Sequence, residues 1–173
     1  MKYKDIIHNE MQRLSRNKKV KFIGYNTKYG HQMYGTLKGC EKSCIEMPVA
    51  ENLMMGLAMG MSLEGYRPIV CVERSNFLLP MADAIINHLY AMPKMSGEFN
   101  FPVIIRVVIP TNKPLDTGIQ HLGDYTGIIK IYTDIPIFKY NLGSYTYGIE
   151  LNKPICVVEQ KEKYETNYTA DRL

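Results

Sequence analysis

Three short apolar runs that lie between helix-like segments constrain the fold of this chain more than any other feature. They are "PIVCVE" (68–73), "PVIIRVVI" (102–109) and "KPICVVEQ" (153–160). Such runs are typical of strands that are buried on both faces of a parallel sheet. Strands that alternate with helices indicate repeated β-α-β units. The sequence therefore predicts an α/β fold, a three-layer sandwich with a mostly parallel sheet flanked by helices.

The rest of the chain supplies further elements of this pattern. An amphipathic helix is predicted over 4–15, and a Gly-rich loop without regular structure over 26–39. The other predicted elements are a strand at 20–25, helices at about 50–64, 79–91 and 142–151, and a strand candidate, "GIIKIYT", at 127–133. The polar segment after residue 160 is expected to fray. We expect residues 1–164 to form a single domain and residues 165–173 to be a frayed tail.

Length and charge exclude several classes of protein. A chain of 173 residues fits one globular domain but not two. The net charge is +4, and because Lys and Arg concentrate only in "RLSRNKKVK" (13–21), a solvated helix end is favoured over a nucleic-acid site. Glu51 and Glu64 bracket the longest apolar stretch, which is shorter than the roughly 20 residues that a membrane span needs. The amino terminus has no signal-peptide core, so we expect a cytoplasmic protein.

The four cysteines do not indicate a disulfide framework, because the chain has no secretory features. Cys71 and Cys156 lie in strand-like runs and are interpreted as small buried apolar residues. Cys40 and Cys44, with His31 upstream, have a spacing that a metal site can use. Because a second ligand pair is missing, ordinary loop cysteines are favoured.

Two glycines in the predicted helix at 50–64 indicate a close approach by another backbone. Gly56 and Gly60 are four residues apart, with Ala58 between them. A helical glycine costs roughly 1 kcal/mol relative to alanine, so its retention points to a packing reason. The helix either packs closely on its own sheet or crosses its counterpart at a subunit interface, and the sequence favours neither.

A series of motifs, taken in order, resembles one family. "MPVAEN" is similar to a "TPLAEQ" type of segment, "GLAMGMSLEGYRPIV" to "GFAIGMAAMGYRPVV", and "SNFLLPMADAIIN" to "ADFIYPAFDQIVN". "MSGEFNFPVIIR" continues the series with an "SG" turn and a strand that contains Arg106. The series resembles the pyrimidine-binding domain of thiamine-diphosphate enzymes and is most like the beta subunit of 2-oxoacid dehydrogenase first components. The resemblance implies that residues 1–164 form one pyrimidine-binding domain. The resemblance covers about residues 40–164 and is weaker in its last part.

Glu51 is the residue to which the resemblance assigns the central role. The resemblance implies that Glu51 forms a hydrogen bond with a nitrogen of the cofactor's aminopyrimidine ring and thereby favours the imino tautomer. The exocyclic nitrogen of that tautomer can then deprotonate the thiazolium carbon. Apolar neighbours would help Glu51 to hold a proton by disfavouring its charged form. Without the motif, a glutamate at a helix start is more simply explained by the helix dipole. With the motif, the cofactor role is favoured.

Phe77 is the second residue for which the resemblance implies a role. In "SNF" it aligns with an aromatic residue whose ring lies against the pyrimidine, and an aromatic face suits a flat heterocycle. Core packing is the alternative. The neighbouring Arg74 and Asn76 depart from the family pattern, and we assign them no role from the sequence.

His121, in "TGIQHLGDYTG", aligns with a histidine that faces the substrate in this family. The resemblance implies that it donates a hydrogen bond or a proton to the reaction intermediate, a task that suits histidine near neutral pH. Leu122 and Gly123 stand where dehydrogenases usually have Ser-Gln, so the details of the substrate do not transfer. A loop histidine without function is the alternative.

The resemblance also implies a partner subunit. Enzymes of this family bind the diphosphate through a divalent metal on a second domain that carries a "GDG" segment, and this chain contains none. We therefore expect a diphosphate-binding partner that supplies the Mg²⁺ ligands, in a heterotetramer with two copies of each subunit. The expected reaction is decarboxylation with acyl transfer from a 2-oxoacid, or ketol transfer from a ketose. A noncatalytic subunit that retains the fold and the dimer interface is the alternative.

Overall fold

One six-stranded parallel sheet forms the centre of the computed structural model, which describes residues 1–113 and 117–169. All five strand pairings are parallel, and the strand order is β2-β1-β3-β4-β6-β5. The strands are β1 Val20–Gly24, β2 Cys44–Glu46, β3 Arg67–Val72, β4 Ile104–Ile109, β5 Ile137–Lys139 and β6 Ile155–Gln160. The three apolar runs became the adjacent strands β3, β4 and β6. The predicted α/β fold is confirmed.

Helices cover both faces of the sheet. They are α1 Tyr3–Ser15, α2 Glu51–Leu63, α3 Leu78–Asp83, a π-helical segment Ala84–Ala91, α4 Met92–Ser96, α5 Gly127–Tyr132 and α6 Ser144–Glu150. Side chains alternate along β4, so that Ile104 and Val108 contact the layer of α1 and α6, whereas Ile105 and Val107 contact the layer of α2, α3 and α5. The result is the expected three-layer sandwich. Within the described residues, no helix has the length and apolar character that crossing a membrane requires.

Most predicted elements are found, and one prediction is wrong. The helices predicted at 4–15, 50–64 and 142–151 correspond to α1, α2 and α6, and the one at 79–91 lies within the longer helical segment 78–96. "GIIKIYT" is the helix α5 rather than a strand. The side chain of Asp124 accepts hydrogen bonds from Thr126 and starts a turn, and only Ile129 of the helix is fully buried. This local turn outweighs the strand preference of the isoleucines.

Part of the segment for which the sequence predicts fraying makes contacts with the amino-terminal helix. The carboxylate of Glu165 pairs with Lys2 and Lys4, at 2.6 and 3.0 Å. Asn167 forms an isolated antiparallel bridge with Lys2, and the amide of Tyr168 donates to the carbonyl of Met1. Residues 170–173 lie outside the described residues.

A buried ion pair joins the adjacent strands β4 and β6. Arg106 Nε and Nη2 donate to the two carboxylate oxygens of Glu159, at 2.8 and 3.0 Å, and both side chains are 0% exposed. The hydroxyls of Tyr145 and Tyr164 donate to the same carboxylate, and Arg106 Nη2 also donates to Thr36 Oγ1 at 2.6 Å. Burial raises the pKa of both tyrosines, and the charge of Glu159 adds to the rise. The carboxylate thus accepts four hydrogen bonds from three residues of three separate segments.

We expect Glu159→Gln to lower the free energy of unfolding by about 3 kcal/mol or more, because it leaves Arg106 buried without a counter-charge. Urea unfolding followed by circular dichroism measures the change. Glu98→Gln, which makes the same chemical change at an exposed position, should stay within about 0.5 kcal/mol of wild type. Equal stability of wild type and Glu159→Gln would show that the pair is not needed for the fold.

Candidate active site

A cavity of about 350 Å³ lies at the carboxyl edge of the sheet, beside the amino end of α2. Its wall combines residues that follow β1 and β3 with residues of α2 and α3. They are Tyr25, Asn26, His31, Val49, Glu51, Met54, Cys71, Val72, Glu73, Arg74, Phe77 and Met81. Ligands of open α/β sheets bind at this edge, and the volume is within the range of small-molecule pockets.

Glu51 is the first residue of α2 and lines this cavity. Its side chain is half-buried, and the carboxylate makes no hydrogen bond or ion pair with any residue in 1–113 or 117–169. Its position at the amino end of the helix places it near the unpaired backbone amides of the first turn. The carboxylate is therefore available to a ligand in the cavity.

Phe77 lines the same cavity, at the end of a short 3-10 turn, Ser75–Phe77, that leads from β3 into α3. Its ring is half-buried, and the apolar side chains of Met54 and Met81 complete this part of the wall. An aromatic ring beside a carboxylate can hold a flat, hydrogen-bonding heterocycle.

His121 lies next to Phe77 but outside the lining of the cavity. The two rings meet edge to face, with 5.7 Å between their centroids. His121 Nδ1 lies 3.0 Å from Asn76 Oδ1, and Ser75 Oγ donates to the carbonyl of Gly123 at 2.5 Å. With Asn76 Oδ1 as the acceptor, Nδ1 carries the proton and Nε2 of a neutral ring is free. The structure thus brings the three predicted site residues to one region, two of them in the cavity wall.

A second carboxylate in the cavity, Glu73, was not predicted as a site residue. It is 7% exposed, and its Oε2 lies 2.8 Å from His31 Nε2 and 3.2 Å from Asn26 Nδ2. Since the amide of Tyr34 donates to His31 Nδ1, the neutral ring carries its proton on Nε2 and donates it to Glu73. Burial alone would raise the pKa of Glu73, but the hydrogen bonds from His31 and Asn26 outweigh it and lower the pKa.

Hydrogen bonds to another carboxylate, Glu46 at the end of β2, hold the loop that contains Asn26 and His31. Glu46 accepts hydrogen bonds from the backbone amides of Asn26, Thr27 and Lys28, at 2.7, 3.0 and 2.7 Å. The loop has no regular structure, as predicted, and several of its residues have positive φ. A charged capping group of this kind fixes the wall of the cavity without a helix or strand.

The sequence carried a signal for Glu73 but not for Glu46. Glu73 directly follows the buried strand β3, where side chains at the carboxyl end face the ligand edge. The role of Glu46 could not be identified from the sequence, because β2 has only three residues and was not predicted. His31 was considered only as a metal ligand with Cys40 and Cys44. Both cysteines are buried, burial raises the pKa of their thiols, and the His31 ring instead contacts Glu73.

The glycines of α2 lie on an outward face. No atom of the described residues lies within 4 Å of the position that a Cβ would take at Gly56 or Gly60. Close packing on the chain's own sheet therefore does not explain them. Leu53 and Leu63 on the same helix are also more than half exposed.

Comparison with known proteins gives consistent results. Residues 4–108 match the model of the transketolase pyrimidine-binding domain. One relative is the pyruvate dehydrogenase E1 component subunit beta of Mycoplasma genitalium, which is 25% identical over 87% of this chain and 49% of its own length. Another is the 3-methyl-2-oxobutanoate dehydrogenase subunit beta of Mycobacterium tuberculosis, which is 31% identical over 70% of this chain and 36% of its own length. The pyruvate dehydrogenase E1 component subunit beta of Cyanidium caldarium is 38% identical over 46% of this chain and 23% of its own length. The chain thus spans no more than about half the length of these relatives.

A solved structure described as a split gene transketolase, inactive beta4 tetramer, has the same fold. It superposes with a TM-score of 0.70 over 96% of this chain and 53% of the other, at 15% identity. The family match covers more than half of the chain and contains α2, β3 and the turn that carries Phe77. The chain therefore belongs to the transketolase pyrimidine-binding domain family.

Proposed function

We propose that this chain is the pyrimidine-binding subunit of a two-subunit, thiamine-diphosphate-dependent enzyme that acts on a 2-oxoacid or a ketose. The observation that carries the proposal is the pairing, in one cavity, of a carboxylate without a hydrogen bond to the described chain and an aromatic ring. Both residues are those that the family resemblance assigns to the cofactor. The beta-subunit relatives support the 2-oxoacid branch of the proposal.

The residues of the cavity fit an aminopyrimidine ring. Glu51 offers carboxylate oxygens to a ring nitrogen, and Phe77 offers an aromatic face to the ring. Met54 and Met81 supply apolar, adaptable walls. Cavities of this volume bury small ligands largely by apolar contact, with a few polar groups to fix orientation.

Thiamine diphosphate, when bound, supplies the electron sink that bond cleavage next to a carbonyl requires. With the cofactor bound, Glu51 would hold its aminopyrimidine ring by a hydrogen bond at the carboxylate, where a proton can be shared with a ring nitrogen. Phe77 fixes the plane of the ring, and the methionines exclude water from it. His121, with Nδ1 directed to Asn76, has Nε2 free to hold or donate a proton at the side where a substrate approaches.

We assign binding of the diphosphate and of Mg²⁺ to the partner subunit, because this chain lacks the "GDG" segment. The outward face of α2, with Gly56, Gly60 and two exposed leucines, is suited to close contact with another subunit. We propose a heterotetramer with two copies of each subunit. In this arrangement the open side of the cavity meets the partner.

Glu51→Gln is expected to lower turnover at least 100-fold in the assembled complex, because glutamine keeps the shape of the side chain but cannot hold the proton. The chain is co-expressed with the product of the neighbouring gene, and turnover is measured with thiamine diphosphate and Mg²⁺ over a panel of 2-oxoacids and ketose phosphates. The donor that wild type consumes identifies the substrate class.

Glu64→Gln is the matched control, because Glu64 directly follows α2 at its other end and is exposed. It should leave turnover unchanged. Full activity of Glu51→Gln would refute the proposed mechanism. An assembled wild-type complex that neither binds the cofactor nor consumes any donor would instead favour a noncatalytic subunit.

His121→Asn is expected to lower kcat by about 100-fold while the affinity for thiamine diphosphate stays near wild type, because His121 lies outside the wall of the cavity. Steady-state kinetics and calorimetric titration of the cofactor separate the two effects. His88→Asn, on the exposed side of the π-helical segment, serves as the control. Equal kcat values for wild type and His121→Asn would assign His121 to the loop structure alone.

A further inference from the structure

Two cations with no ion-pair partner in the described chain lie at the carboxyl edge of the sheet beside the cavity. Arg74 follows β3 and lines the cavity, and Lys161 follows β6. Neither forms a salt bridge or a hydrogen bond to an acidic group within 1–113 and 117–169, whereas His31 and Lys4, near the same edge, each have a carboxylate partner. Adjacent unpaired cations repel each other, so their retention needs an explanation.

The guanidinium of Arg74 has an unused donor. Arg74 Nε is buried from solvent and has no hydrogen-bond partner. A buried, unpaired donor of a charged group carries a desolvation cost that is avoided only when an acceptor is bound. The acceptor that best matches a guanidinium is a carboxylate or a phosphate.

An aromatic ring holds Lys161 in the groove that adjoins the cavity. Its Nζ lies 4.3 Å from the centroid of the Tyr34 ring, which also stacks on the His31 ring with 4.6 Å between the centroids. The Tyr34 hydroxyl donates to the carbonyl of Glu73, which fixes the ring. Burial, and next the charge of Arg74, lower the pKa of Lys161. The ammonium thus lies over the Tyr34 ring, within the influence of the charge of Arg74.

The nearest carboxylate does not neutralise both cations. Glu73 contributes one negative charge, and its Oε2 is already occupied by His31 and Asn26. Glu51, the other carboxylate of the cavity wall, forms no ion pair with either cation among the described residues. An unpaired donor and an adjoining cavity therefore occur together at Arg74.

We propose that Arg74, in the wall of the cavity, receives an oxyanion of the substrate, that Lys161 adds positive charge from the adjoining groove at Tyr34, and that this receptor sets the substrate specificity of the cavity. The shared chemistry is an oxygen anion that accepts hydrogen bonds from a guanidinium and an ammonium; its source is the carboxylate of a 2-oxoacid or the phosphate of a ketose phosphate. The inference names the substrate class of the proposed enzyme and in that respect rests on the proposed function. The receptor itself is a property of this chain alone.

The test is anion binding by the full chain without cofactor or partner, at constant ionic strength. Inorganic phosphate and pyruvate are titrated separately, with chloride as the reference anion. Binding at the site is followed by the Nε–H signal of Arg74 in ¹H–¹⁵N spectra, which is assigned by its loss in Arg74→Lys. The affinity of every variant is measured from the shift of its Tm with anion concentration. Lys161→Gln should weaken binding about tenfold and Arg74→Gln at least as much, while Arg74→Lys should retain part of the affinity. Lys94→Gln removes a charge at a distant exposed position and should change nothing.

Each outcome decides the question. Binding of phosphate but not pyruvate supports the receptor with a phosphorylated donor, and the reverse supports it with a 2-oxoacid. Binding of both supports the shared chemistry. No response of the Arg74 signal to either anion, or equal weakening in Lys94→Gln, overturns the proposal. Glu51→Gln must bind the anions at least as tightly as wild type does, because it removes a negative charge from the same cavity, so failure of the cofactor mechanism and failure of the receptor are told apart.

Discussion

The common direction of the six strands is the constraint on which the rest of this structure depends. Because every strand is parallel, the carboxyl ends of all of them lie at one edge. Residues distant in sequence meet there: Asn26 after β1, Glu46 at the end of β2, Glu73 after β3 and Lys161 after β6. The connection from β2 into α2 places Glu51 at the same edge. The chemistry of the cavity is therefore assembled by topology from short segments, none of which is a site alone.

The buried pair Arg106–Glu159 links the core to this edge. Arg106 donates to Thr36, which belongs to the same loop as His31, and Glu159 accepts from Tyr164, three residues beyond Lys161. A charge pair in the core is not needed for stability as such, since apolar residues can replace it. Here its donors and acceptors belong to the loop after β1, to β4, to β6 and to the segment after β6. The pair thus sets the positions of both segments that flank Arg74.

The sequence predicted most of the fold and part of the site, for identifiable reasons. Apolar runs long enough to be buried on both faces predicted β3, β4 and β6, whereas the three-residue strands β2 and β5 carried too little pattern. The isoleucines of α5 favoured a strand because propensity ignores the turn at Asp124. Glu51 and Phe77 were found through motifs that are contiguous in sequence. The contact of His31 with Glu73 joins residues 42 positions apart in no shared motif, so only the folded chain shows it.

The distribution of charge in the cavity also constrains how any ligand can lie in it. Glu73 is satisfied by His31 and Asn26, so two charged groups remain without a partner in the described chain, the carboxylate of Glu51 and the guanidinium of Arg74. One stands at the start of α2 and the other after β3. A bound assembly with a basic nitrogen near Glu51 and an oxyanion near Arg74 satisfies both, whereas the reversed orientation places like charges together and satisfies neither. If both proposals hold, the same two residues that recognise cofactor and substrate also fix their relative orientation. Orientation of this kind is a large part of what an enzyme contributes when the cofactor carries the chemistry.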